Sequence, residues 1–197
     1  MNVAVVLFPG TNCDHDVVHV YGRLLRAKVR TVWHRDTDLG RATDLVVLPG
    51  GFSYGDYLRT GALAKLSPVM NAVRNFAQAG GPVLGICNGF QILCESGLLP
   101  GVLMQNIKTK FLSRFINLKI ERNDTPFTRG YAAGTVFPCP IAHGEGNFFA
   151  DHETIERLEG EGQVVFRYAQ NTGAVDPLDA YANPNGSWNA IAGICNR

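Results

Sequence analysis

A chain of 197 residues with 46% hydrophobic and 18% charged side chains has the composition of a soluble globular protein, and its length most simply makes one domain over residues 1–197. A formal net charge of +1 gives no global field to attract nucleic acid, and no apolar run approaches the roughly 20 residues of a membrane span; a cytoplasmic protein with no nucleic-acid or membrane partner is expected. The five cysteines, Cys13, Cys87, Cys94, Cys139 and Cys195, are odd in number and contain no Cys-x-x-Cys pair, which argues against a disulfide framework or a zinc ribbon.

The chain starts directly in a strand, without a basic flank or cleavage site. Residues 3–8 form a continuous β-branched run, as in a strand buried on both faces, and Pro9-Gly10-Thr11-Asn12 breaks it. Val17, Val18, Tyr21, Leu24 and Leu25 then recur at helical spacing, with Thr11 or Asn12 as N-cap and Asp14 and Asp16 in the first turn. Residues 29–33 and 44–48 read as two more strands, the second ending in Pro49-Gly50-Gly51-Phe52-Ser53. A helix over residues 62–79 enters near Ser67-Pro68, puts Leu66, Val69, Met70, Val73 and Phe76 on one face, and stops at Gly80-Gly81. Strands alternating with helices predict an α/β fold with a doubly wound, mostly parallel sheet flanked by helices.

Beyond Leu99-Pro100-Gly101 the pattern changes. Residues 115–120 alternate apolar and polar, and residues 135–141 are extended with two prolines, so extra antiparallel or edge strands are expected in the C-terminal half. Residues 151–158 form a short helix, and 163–169 and 190–195 are further strands. No linker, repeat or low-complexity segment divides the chain.

The most informative stretch is Pro82-Val83-Leu84-Gly85-Ile86-Cys87-Asn88-Gly89-Phe90-Gln91. It reads as a nucleophile elbow, in which the chain passes so sharply from a buried strand into a helix that small residues are required two positions on either side of the nucleophile. Gly85 and Gly89 meet that demand. The helix N-terminus would favour the thiolate of Cys87. A plain buried cysteine is the simpler alternative, although it leaves the flanking glycines unexplained.

A cysteine attacking a carbonyl needs two N–H donors for the oxyanion, one from the residue after the nucleophile and one from a neighbouring strand end. Asn88 and Gly51 fit those positions; Gly50-Gly51 serving only as a turn is the alternative. The loop matches neither phosphate-binding pattern. Of the histidines, His15 and His19 are one helical turn apart and could ligate a metal, but beside Asp14 and Asp16 they read as a solvated helix face and no metal site is expected; His34 ends a strand with no evident partner, and His152 sits exposed in a helix N-terminal turn. His143, in Ala142-His143-Gly144-Glu145-Gly146, is the best candidate for a site contact, but spacing does not make it a base.

The loops 8–14, 49–56, 85–91 and 141–146 together resemble class I, triad-type glutamine amidotransferases, and within them the glutaminase subunits of phosphoribosylformylglycinamidine synthases. The resemblance covers almost the whole chain and implies a flavodoxin-like sheet. It implies that Cys87 forms a glutamyl thioester and releases ammonia, with Gly51 and Asn88 as the oxyanion hole. Phe52, Gln91, His143, Gly144 and Glu145 would contact glutamine. No cofactor would bind this chain, because ATP and magnesium would sit on a large synthetase subunit, alongside a small accessory subunit, which makes formylglycinamidine ribonucleotide in purine biosynthesis. The family carries its catalytic histidine and glutamate as a His-Pro-Glu motif after the last strand. These 197 residues contain no such motif, so neither triad role passes to His143 or Glu145, and a C-terminal tail beyond them is expected. The competing expectations are a DJ-1/PfpI-like cysteine hydrolase, which commonly has histidine where Asn88 stands, and a catalytically impaired docking subunit.

Overall fold

The computed structural model describes residues 1–196, which fall into two compact units divided between Leu98 and Leu99. The first is built on a four-stranded parallel sheet of β1 (Asn2–Leu7), β2 (Lys28–Trp33), β3 (Leu45–Leu48) and β4 (Val83–Gly85), in the order β2-β1-β3-β4. Val3, Ala4, Val5 and Val6 are all buried, as are the four residues of β3, so both sheet faces are covered. On one face Val3, Val5, Leu45 and Val47 pack with Val17 of α1 (Asp14–Val18).

The first helix differs from the sequence reading in two details. The N-cap of α1 is Cys13, because Asn12 and Cys13 both donate their backbone N–H to Gly50 O, at 3.4 and 3.2 Å, and Thr11 Oγ1 accepts from Phe8 N at 3.0 Å. Thr11 and Asn12 are thus engaged before the helix starts. The helix also widens into a π-helical segment, His19–Leu24, which turns Leu24 and Leu25 off the apolar stripe and leaves them exposed.

The segment before β4 contains a short 3₁₀ turn, Ala64–Leu66, and then α2 (Val69–Gln78), which buries Val69, Met70 and Val73. Pro68 separates the two, so Leu66 is exposed rather than part of the buried face. After β4 comes α3 (Asn88–Glu95). His34 does have a partner: it is buried, and its Nδ1 lies 2.7 Å from the Tyr54 hydroxyl, which is 2.8 Å from Ser67 Oγ.

The second unit holds a two-stranded antiparallel pair, β5 (Val102–Met104) and β8 (Asn147–Phe149), and an antiparallel sheet in the order β10-β9-β6-β7. Its strands are β6 (Leu112–Ile120), β7 (Val136–His143), β9 (Val164–Ala169) and β10 (Ile191–Ile194). Pro138 and Pro140 lie in β7, at the sheet edge, where a missing N–H costs least. Ile116 and Tyr168 form the core of one face with Ala190. Helix α4 (His152–Gly160) is capped by Asp151, which accepts from Thr154 N at 2.8 Å. Strands β5 and β8 escaped the sequence reading because each has only three residues.

Candidate active site

In the parallel sheet β1 lies between β2 and β3, so successive crossovers leave it in opposite directions and open a crevice beyond the carboxyl ends of β1 and β3. The loops from those two ends are joined there. Thr11 and Gly51 form a β-bridge, and Phe52 N donates to Gly10 O at 2.9 Å. Gly51 has φ +147°, and a Cβ on it would lie 2.7 Å from Gly10 O and 2.8 Å from Asn12 N, so only glycine lets the loops close.

Cys87 stands at the adjacent end of β4, with φ 53° and ψ −110°, a strained conformation for a residue with a side chain. The elbow is held by backbone bonds: Ile86 N donates to Leu48 O at 3.0 Å, and Phe90 N and Gln91 N to Cys87 O at 2.9 and 3.2 Å. The glycine demand is steric. A Cβ at Gly85 would lie 2.6 Å from Gly89 O, and one at Gly89 would lie 1.9 Å from Leu48 O.

Cys87 is exposed to solvent as a residue, yet its thiol is desolvated by the groups around it. Burial pushes its thiol above the ordinary value of 9.0; hydrogen bonds from the backbone N–H of Asn88 and of Gly51 oppose the rise, and the nearby Cys13 and Asp56 add to it. The thiolate is therefore disfavoured at rest, contrary to what the helix N-terminus suggested, because desolvation outweighs the local N–H groups. No histidine of this unit is among the groups acting on that thiol. The two N–H groups that meet the sulfur belong to Gly51 and Asn88, the residues expected to hold an oxyanion.

The Asn88 side chain ties the elements together. Its Oδ1 accepts from Ser53 N at 3.2 Å, and its Nδ2 donates to Gln91 Oε1 at 3.0 Å; both side chains are buried. Phe52 is 45% exposed at the mouth of the same loop. One unit thus brings together Cys87, Gly51, Asn88, Gln91 and Phe52. Cys13 also belongs here, since a Cβ at Gly50 would touch both Cys13 Sγ and Cys87 Cβ at 3.3 Å. Neither Cys13 nor Asp56 was singled out from the sequence, although both lie within loops that were.

His143, Gly144 and Glu145 lie in the second unit, where β7 runs into β8, and Asn106 organises them. Its backbone N donates to Gly144 O at 2.9 Å, its Nδ2 donates to His143 O at 2.9 Å, and its Oδ1 accepts from Gly146 N at 3.0 Å. Gly146 O in turn accepts from Asn185 Nδ2 at 2.7 Å and Ser187 Oγ at 3.0 Å, all in a buried polar network. Asn106, Asn185 and Ser187 gave no sequence signal beyond being polar. His15 and His19 are exposed, and His152 is exposed beside Glu156 at 3.5 Å.

The parallel sheet, the cysteine elbow and the known proteins that the chain matches together place it among the class I glutamine amidotransferases. Residues 1–197 match the profile of the CobB/CobQ-like glutamine amidotransferase domain, and the chain belongs to that family. It is 58% identical over 196 residues to the phosphoribosylformylglycinamidine synthase subunit PurQ of Bradyrhizobium diazoefficiens, covering 100% of this chain and 83% of the relative. The PurQ subunit of Gloeobacter violaceus is 53% identical over 197 residues, with the same coverage. The solved structure of PurLQS from Thermotoga maritima contains a chain 37% identical, with a TM-score of 0.82, matched over 100% of this chain and 82% of that one. No helix among the described residues is long and apolar enough to cross a membrane.

Proposed function

We infer that this chain is the glutaminase subunit of a phosphoribosylformylglycinamidine synthase and works in purine biosynthesis. The observation that carries the chemistry is the elbow itself, which holds Cys87 at φ 53° between β4 and α3 with Gly85 and Gly89 packed against backbone on either side. Cys87 attacks the carboxamide carbon of glutamine. The oxygen becomes an oxyanion that accepts from the Gly51 and Asn88 N–H groups, ammonia leaves with the transferred proton, and a glutamyl thioester remains. Water then cleaves the thioester to glutamate and restores the thiol. The thiol starts protonated, so a base must act when substrate is in place. No histidine of its own unit is among the groups acting on the sulfur, so that base comes from outside this unit.

Gln91 and Phe52 contact glutamine in this reading. Ammonia passes to a synthetase subunit of the PurL type, with a small accessory subunit completing a cytosolic complex. ATP and magnesium belong to the synthetase, and this chain binds neither. The names of the relatives, at 53–58% identity over essentially the whole chain, support the assignment. The test is ammonia release from glutamine by the chain assembled with its synthetase, with and without Cys87→Ala. Equal release by both would overturn the thioester mechanism, and so would failure of a glutamine-like electrophile to label Cys87.

A further inference from the structure

Two residues of the first unit, Cys13 and Gly50, serve neither helix capping nor backbone conformation. Cys13 occupies the N-cap of α1, where Ser, Thr, Asp or Asn would accept from a helix N–H, and its side chain makes no such bond. Its Sγ lies 3.3 Å from Asn12 Oδ1, and the residue is exposed to solvent. Gly50 has a negative φ, so its dihedrals do not demand glycine. Space does. A Cβ there would lie 3.3 Å from Cys13 Sγ, 3.3 Å from Cys87 Cβ and 3.6 Å from Cys13 Cβ. Glycine at this position thus leaves no side chain between Cys13 and Cys87, whose Cβ atoms are less than twice 3.6 Å apart. A disulfide requires about 3.5–4.5 Å between them, so a shift of at most about 3 Å brings them into range. The loop ahead of α1, exposed at Gly10, Asn12 and Cys13, supplies it.

We propose that Cys13 is the resolving thiol for an oxidised Cys87: when hydrogen peroxide converts Cys87 to the sulfenic acid, Cys13 closes a Cys13–Cys87 disulfide that a thiol reductant reopens. In the first step the Cys87 sulfur attacks one peroxide oxygen, an S–O bond forms as the O–O bond breaks, and the other oxygen leaves as water with the thiol proton. In the second the Cys13 sulfur attacks the sulfenic sulfur, an S–S bond forms as the S–O bond breaks, and a second water leaves. The two thiols have together given two electrons to one peroxide. Without a resolving thiol the sulfenic acid takes a second oxidation to the sulfinic acid, which thiols do not reverse, so the neighbour keeps the nucleophile recoverable. Burial pushes both thiols above the ordinary value of 9.0, so the pair closes slowly at neutral pH and faster as pH rises. That the disulfide silences glutamine hydrolysis rests on the glutaminase reading; its formation does not.

The experiment treats the reduced full chain with hydrogen peroxide, blocks the remaining thiols by alkylation and maps the peptides by mass spectrometry without reduction. The expected product is a linked Cys13–Cys87 peptide, two hydrogens lighter than its separate halves, which dithiothreitol releases. Cys87 linked to any other cysteine, or Cys87 sulfinic acid beside a free Cys13, overturns the proposal. In Cys13→Ser, where serine suits the N-cap and preserves the helix, Cys87 should advance to the sulfinic acid instead. After reduction and assembly with the synthetase, the oxidised unaltered chain should regain about nine-tenths of its own starting rate of ammonia release, and the oxidised Cys13→Ser chain less than about one-tenth of its own. Equal recovery by the two overturns the protective role of Cys13. A complex that releases no ammonia before oxidation overturns the functional reading, and the linked peptide still decides whether the disulfide forms.

Discussion

Gly89 lies against the carbonyl group of Leu48 so closely that a methyl group on it would come within 1.9 Å of the oxygen. The atom it would meet is backbone in a fully buried strand, and it already accepts the Ile86 N–H. Neither side can move without opening the elbow. Gly89→Ala is therefore expected to destabilise the chain by about 3 kcal/mol, at the upper end of overpacking, and to remove glutaminase activity. Thermal unfolding and thioester trapping measure the two effects. A variant with unchanged melting temperature would mean that the β4–α3 turn tolerates a second conformation.

Gly51→Ala separates geometry from stability in another way. The new Cβ would collide with the loop 10–12 backbone at 2.7–2.8 Å, in a conformation where side chains are strained, and the loop carrying the second N–H donor must shift. Loss of one oxyanion donor costs about 10²–10³ in kcat. The KM for glutamine should change far less, because the donor acts on charge that develops only in the transition state. Steady-state kinetics of the assembled complex test this, and a change confined to KM would remove Gly51 from the oxyanion role.

The elbow was legible because its steric rule is local: two glycines flank a cysteine at fixed spacing, between a strand and a helix. The parallel sheet was legible for the same reason, since burial on both faces writes itself as the unbroken run Val3-Ala4-Val5-Val6. What sequence could not supply was the partner at a distance. Tyr54 is twenty positions from His34, and Asn106 is 37 from His143, yet each pair shares a hydrogen bond. The thiolate expectation failed similarly, because the helix N-terminus is visible in sequence and the desolvation that outweighs it is tertiary.

That reversal fixes the sign of a pH dependence. The free thiol is the favoured form until pH climbs above the ordinary thiol value of 9.0, so alkylation of Cys87 by iodoacetamide in the chain alone should still be rising there, without a plateau below it. Asp56 contributes to the upward shift by its negative charge, so Asp56→Asn should move the whole profile to lower pH. Rates followed by mass spectrometry decide it, and a plateau below pH 9.0 in the unmodified chain would contradict the burial argument.

Burial of His143 makes a separate prediction about stability. Its folded proton affinity is lowered below the ordinary value of 6.5. Above 6.5 the ring is neutral in both states and contributes nothing pH-dependent; as pH falls below 6.5 the unfolded chain takes up the proton first. Stability is then lost down to the folded value. Denaturant unfolding across that range should show a decline that is shallower in His143→Gln, and identical slopes for the two chains would place the ring in solvent.

The last prediction concerns the segment between β3 and β4, which runs beside the elbow helix. Glu95 of α3 has a side chain only 4% exposed, and it receives Arg59 through two nitrogens at 2.5 and 2.8 Å, with Lys65 at 3.7 Å. Nearby, Gly61 sits so tightly on α3 that a Cβ would lie 2.9 Å from Ile92 N. The ion pair and the glycine contact therefore pin the same segment to the helix that Cys87 starts. A buried carboxylate stripped of its partner is costly, but Arg59 is itself 52% exposed and Lys65 remains, which discounts the loss. Arg59→Ala is expected to destabilise the chain by about 1–2 kcal/mol, and Glu95→Gln combined with it by less than the sum of the single changes. Hydrogen exchange should locate the effect in residues 53–67, because the stability of a segment held by few contacts falls locally before it falls globally. An additive double-mutant cycle with no change in exchange would show that the pair does not hold this segment and that the glycine contact alone does.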